Sequence, residues 1–245
     1  MSFKPGCQAG ARGLRHHQPV NRLVVVAAGL ILVAGACGCS LWRTSESIGQ
    51  TTVAAPAPAR YHATIEPPPS ERMTSSWRPG CPVPLEDLRL LTLTYWGFDG
   101  DVHRGELVVH EDQARAIREV FRALFKARFP IERMKLVDVY GGDDDRSMAA
   151  NNTSAFNCRA VAGSSSWSEH AYGRAIDINP IQNPQVRNGL VSPPAGSRYL
   201  DRSRRRRGLI RADDVVVRAF AAVGWRWGGS WTSLKDYQHF SVSGR

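Results

Sequence analysis

The stretch Ser168-Glu169-His170-Ala171-Tyr172-Gly173-Arg174-Ala175-Ile176-Asp177, followed near the end of the chain by Asp236-Tyr237-Gln238-His239, holds the residue types best suited to chemistry. Two imidazoles and a carboxylate can meet at one metal ion, and a spare carboxylate stands three residues before the last histidine. Mixed nitrogen and oxygen ligands suit Zn²⁺, and three protein ligands leave its fourth position open for water. Water on zinc gives up its proton near neutral pH when a base is at hand. The pattern predicts a hydrolytic zinc centre with one ion per domain.

The chain must fold these residues together. His170 and Asp177 are seven apart with Gly173 between them, so a turn at Gly173 and a short strand over 175–179 can bring both side chains to one point. Ile176 and Ile178 alternate with small or polar residues, the period-2 pattern of a half-buried strand, and Asp177 faces away from them toward a cleft. His239, with Phe240 and Val242, lies on another strand-like segment.

The motif Ser-x-His-x-x-Gly-x-Ala-x-Asp with a later acidic-x-x-His resembles the zinc D-alanyl-D-alanine carboxypeptidase family of peptidoglycan peptidases, over roughly Cys81 to Phe240. The resemblance implies that His170, Asp177 and His239 hold zinc and that Asp236 is the general base. Many members carry Glu at the base position; the shorter Asp236 has to sit nearer the metal. Two cationic residues upstream of the motif, Arg146 and Arg159, are candidates for stabilising the oxyanion, and the resemblance does not choose between them. Ser168 orients the site or contacts substrate. The substrate implied is the stem peptide of peptidoglycan. An L-Ala-D-Glu-type endopeptidase and a noncatalytic, zinc-stabilised wall-binding module are the alternatives. A serine or cysteine hydrolase is disfavoured, because no Gly-x-Ser-x-Gly elbow is present and an exported chain argues against Cys158 as a catalytic thiol.

Residues 1–39 read as a signal or lipoprotein-type export segment: four basic residues, no acidic one, then an apolar run ending in small residues. Ala34-Gly35-Ala36-Cys37 resembles a lipobox, making Cys37, or Cys39, the lipidation candidate; an uncleaved membrane anchor is the other reading. The protein is expected to be exported and held at the outer face of a bacterial cell membrane or cell wall, as a monomer. Cys81 and Cys158 are then the pair left in an oxidising compartment and are read as a disulfide. The segment 40–80, rich in Pro, Ala, Ser and Thr, reads as a tether, and 81–245 as the zinc peptidase domain. Without residues 1–39 the chain has 28 basic against 22 acidic residues, a net charge of +6 in place of +10. Much of that excess sits at Arg202 and Arg204–207, read as a solvated loop or an attraction to anionic wall or lipid groups; no nucleic-acid partner is expected of an exported chain.

Strands are predicted over 88–95, 106–110 and 134–140, with a turn at Phe98-Asp99-Gly100-Asp101. Helices are predicted over 111–128, with Asp112 as cap and Pro130 as stop, and over 213–223, stopped by Gly224. This order suggests an α+β fold, a small antiparallel sheet flanked by helices, and the resemblance implies the architecture shared with the hedgehog signalling domain. Residues 141–167 and 180–211 read as long irregular loops. Within them Asp143-Asp144-Asp145 is either a solvated turn or a second metal site. The Trp225-to-Trp231 run is either core or a sugar platform.

Overall fold

A computed structural model describes residues 59–245. The expected export segment 1–39, the candidates Cys37 and Cys39, and positions 40–58 of the expected tether lie outside the described residues. In chain order the elements are β1 (Ala63–Glu66), β2 (Leu88–Trp96), β3 (Val102–His110), α1 (Glu111–Lys126), β4 (Arg133–Met134), α2 (Asp144–Ala149) and β5 (Asn152–Thr153). They continue with β6 (Ala175–Asp177), β7 (Gln185–Arg187), β8 (Leu190–Ser192), α3 (Val215–Ala221), β9 (Arg226–Trp227), β10 (Lys235–Asp236) and β11 (His239–Ser241). The class is α+β, as expected, with the antiparallel pairing shared among three small sheets, β1-β2-β3, β10-β7-β8 and β6-β11-β9.

The β2–β3 hairpin is the frame. Alternation along β2 sends Leu91, Leu93 and Tyr95 into the main core and Leu88 and Leu90 into a second cluster on the opposite face. Helix α1 lays Ala114, Ile117, Val120, Phe121 and Leu124 on the main core, the three- and four-residue spacing of one helical face. Its cap is the His110 side chain, which accepts from the Asp112 amide, so Asp112 is the capped residue and not the cap. The helix stops at Lys126, ahead of Pro130, with Arg128 at φ +51° turning the chain. The second cluster contains Cys158, bonded to Cys81 across 77 residues of sequence.

Three further expectations are corrected. The tether ends well before residue 80: β1 pairs along β2 from Ala63↔Leu93 to Glu66↔Leu90, and Met73 is buried in the second cluster. The proline-rich composition conceals a four-residue edge strand whose alternate residues pack inward. The strand predicted over 134–140 is the two-residue β4 followed by a 3-10 turn, Val137–Tyr140, closed by Gly141 at φ +72°. Asp138 draws that turn against the N-terminal segment by accepting from the amides of Ser75 and Ser76. The two predicted loops contain α2 and β5, and the β7–β8 hairpin with the turn Pro194–Tyr199.

Outside the β7–β8 hairpin, side chains replace ladders as the partners of several backbone groups in 180–211. Asn183 donates to the carbonyls of Ile178 and Gly208 and accepts from the Ile210 amide, while Asn179 reaches across to Glu132 and Pro130. Buried backbone groups must be paired, and amide side chains do this where no strand is available. Arg202 does the same work: its guanidinium donates to Gln182 and Asn183 and covers the Tyr237 ring. Burial foremost pulls its pKa down to about 10. The arginine run is therefore partly internal scaffold and only partly solvated surface.

Candidate metal centre

The sheet β6-β11-β9 positions the first-motif carboxylate against the last histidine. In its antiparallel register His239 lies directly opposite Asp177, and Phe240 opposite Ile176. Ile176, Ile178 and Phe240 anchor the inner face, with Phe240 stacked on Phe220 at 4.1 Å between ring centroids. Asp177 and His239 thus turn to the other face. On the free side of β6 the Asp177 main chain exchanges hydrogen bonds with Ser154.

His170 arrives from a 3-10 turn, Glu169–Tyr172, capped by Ser168, whose hydroxyl accepts from the His170 amide. That is where the structure puts Ser168: it shapes the turn at the edge of the cleft. Gly173 ends the turn at φ +65°, a conformation that side chains rarely adopt, and a Cβ there would stand 2.5 Å from the His110 nitrogen. The motif glycine is required both for the turn into β6 and for contact with the β3–α1 junction.

The two imidazoles and the carboxylate are buried, and their ligand atoms lie within 4.8 Å of one another. His170 Nδ1 is 2.6 Å from the Ala155 carbonyl, which can only accept, so Nδ1 carries the proton and Nε2 keeps a lone pair. His239 Nε2 is 3.0 Å from the Arg245 main-chain oxygen, which by the same argument leaves the lone pair on Nδ1. Those lone pairs lie 3.1 and 3.0 Å from the Asp177 oxygens, and His170 Nε2 has no hydrogen-bond partner. Two lone pairs aimed at an anion repel unless a cation lies among them. A proton serves that purpose in the metal-free chain. Burial opposes the charge on His239, but the bond and charge of Asp177 outweigh it and push the pKa up to about 9. For Asp177, burial opposes ionisation, yet the two imidazoles hold its pKa far below the usual carboxylate range. The donor set, two outward-braced histidines and one aspartate, fits Zn²⁺ at a three-ligand centre.

The centre lies in a cleft of about 880 Å³ that Asp236, Gln185, Arg159 and Trp231 also line. Asp236 is buried, and that burial above all pushes its pKa up to about 6. Its Oδ2 accepts from Gln185 at 2.7 Å, while Oδ1 has no partner. Gly228 packs against Asp236 and His239 so closely that a Cβ would stand 2.7 Å from the Asp236 carbonyl oxygen and 3.3 Å from the His239 Cβ. Arg159 reaches the cleft and pairs with Asp144 at 2.7 Å. Arg146, exposed on α2, does not line it. The acidic run is a helix start: Asp143 caps α2 by accepting from the Arg146 amide. Trp225 and Trp227 are core, and Trp231 alone of that run faces the cleft, beside His239. Gln185 and Gly228 were not singled out by sequence reasoning, since only the fold sets them beside Asp236.

The buried His/Asp/His donor set could hold a metal ion, and it shares its cleft with an unpartnered carboxylate oxygen. Residues 162–242, the segment that carries His170, Asp177, Asp236 and His239, match the model of a family described as D-alanyl-D-alanine carboxypeptidase. No curated protein and no solved structure matches the chain.

Proposed function

We propose that this protein is a zinc-dependent peptidase of peptidoglycan stem peptides and, within that class, a D-alanyl-D-alanine carboxypeptidase. The observation that carries the reading is the convergence of His170 Nε2, His239 Nδ1 and Asp177 in a cleft that also holds the unpartnered Oδ1 of Asp236. Zn²⁺ bound there would supply Lewis acidity toward the scissile carbonyl and the attacking water. His170, Asp177 and His239 would hold the ion. Asp236 takes the proton from the attacking water and returns it to the leaving amine. Its raised pKa suits both tasks, since a base near neutrality is also a competent acid. Arg159 brings positive charge to the cleft for the oxygen that becomes negative. The export segment and a lipid on Cys37 or Cys39 would hold the domain, as a monomer, at the outer face of the membrane beside its polymeric substrate.

The deciding experiment incubates the purified domain with defined stem peptides, with chelator and then with zinc restored. Release of D-alanine that stops with chelator and returns with zinc supports the reading. Cleavage only at L-Ala-D-Glu assigns the endopeptidase specificity. A zinc-loaded domain that cleaves no stem peptide is a wall-binding module, and the enzymatic reading fails.

A further inference from the structure

The sheet β10-β7-β8 forms one wall of the cleft. Its register sets Gln185 opposite Asp236 on one side and opposite Ser192 on the other. Residues opposed across antiparallel strands project to the same face, and all three line the cleft together with Arg187, two residues further along β7. Main-chain pairing of β7 with β10 already joins these strands. The 2.7 Å bond from Gln185 Nε2 to Asp236 Oδ2 is an addition to that ladder.

Its consequence is local. A carboxylate turns easily about its last torsion, which has broad minima. Anchoring Oδ2 removes that freedom and leaves Oδ1 as the one oxygen of Asp236 without a partner. Gly228 closes on the Asp236 main chain from another side, so the whole residue has little room to shift. An aspartate has a shorter reach than a glutamate and fewer torsions with which to correct its aim, so it gains more from an external hold.

We propose that Gln185 is a positioning residue for hydrolysis: it fixes Asp236 through Oδ2 so that Oδ1 is presented to the reacting water. This rests on the reading of Asp236 as general base. The signal could not be found in the sequence, because Gln185 is 51 residues from Asp236 and meets it only through strand pairing.

The test compares Gln185→Met, which keeps length but has no donor, and Gln185→Ala, each in the parent and in an Asp236→Asn background. Zinc content, melting temperature, kcat and KM on a D-alanyl-D-alanine stem peptide are measured for all. In the parent background kcat falls by about 10–100-fold, the usual effect of removing an outer-shell partner, while zinc content holds and KM changes by less than about 2-fold. In the Asp236→Asn background the same substitutions change nothing further, because residues that act as a unit are not additive. Parental kcat in both Gln185 variants, beside a disabled Asp236→Asn, overturns the positioning role and leaves the base in place. An equal further loss in the Asp236→Asn background also overturns it, since Gln185 would then act on something else. Loss of fold or zinc in both variants assigns the side chain to the scaffold instead. Parental turnover in Asp236→Asn removes the base itself and this proposal with it.

Discussion

Replacing Asp236 by Asn should make the metal-free protein more stable while nearly abolishing its chemistry. The carboxylate is buried, and one of its oxygens has no partner. Burial foremost raises its pKa from 3.8 to about 6, with repulsion from Asp177 in the same direction; His239 and Gln185 offset part of this. At 1.36 kcal/mol per pH unit, the ionised form is penalised by about 3 kcal/mol in the folded state. The sign follows from proton binding. Between about pH 4 and pH 6 the folded chain holds a proton that the unfolded chain has lost, so stability falls as pH rises through that window. Below it both states are protonated, and above it the full penalty remains. Asn carries no charge and retains an oxygen that can accept from Gln185. The stability gain of Asp236→Asn should therefore be near zero at pH 4 and reach about 1–3 kcal/mol above pH 6, or several degrees in Tm for a domain of this size. Turnover should fall by about 10²–10⁴-fold, the usual contribution of a positioned proton acceptor. Thermal melts in chelator across pH 4–8, with stem-peptide assays on the zinc-loaded forms, read both quantities. A variant less stable than the parent at pH 7 refutes the burial argument. One that turns over at the parental rate refutes the role of Asp236.

His170→Ala and His239→Ala should each lose stoichiometric zinc at micromolar metal by elemental analysis, against one ion per domain in the parent; full occupancy in either names the wrong ligands. The Cys81–Cys158 bond closes a long loop, so the double serine variant should lose about 4 kcal/mol in denaturant melts on the chain-entropy account; two free thiols in the non-reduced mature protein would contradict the bond. Phe220→Ala removes the ring stacked under Phe240 and should cost about 3–5 kcal/mol, and a loss below about 1 kcal/mol would show that β11 does not depend on that core.

The parts legible in the sequence are those encoded by short-range pattern. The α1 stripe, the β2–β3 hairpin and the ten-residue motif all carry their information within one or two turns of chain. The candidate ligands His170 and Asp177 belong to this group, because Gly173 forces a particular turn and the Ile176/Ile178 alternation fixes the face of Asp177. What was hidden depends on partners distant in sequence. The edge strand β1 exists because β2 offers it a ladder 24 to 30 residues away, and proline-rich flanks disguise it. The turn at 137–140 has apolar, β-branched residues suited to a strand, yet Asp138 and Gly141 bend it.

The same distinction separates the ligands from the groups that tune them. His170 and His239 are recognisable as residue types, but their lone pairs are assigned only by the main-chain oxygens of Ala155 and Arg245 on the far side of each ring. Backbone carbonyls have no sequence signature, so no reading of residue types could have supplied the tautomers. Asp236 shows the point most clearly. In sequence it is an acidic residue three positions before a histidine. In the fold it is a buried carboxylate held through one oxygen, with the other unpartnered and its pKa near 6. An isolated carboxylate in that position lowers stability, and a fold selected for stability alone would have replaced it with an amide or an apolar side chain. The destabilising feature is the one the proposed chemistry needs, which is why stability and turnover are expected to move in opposite directions when it is removed.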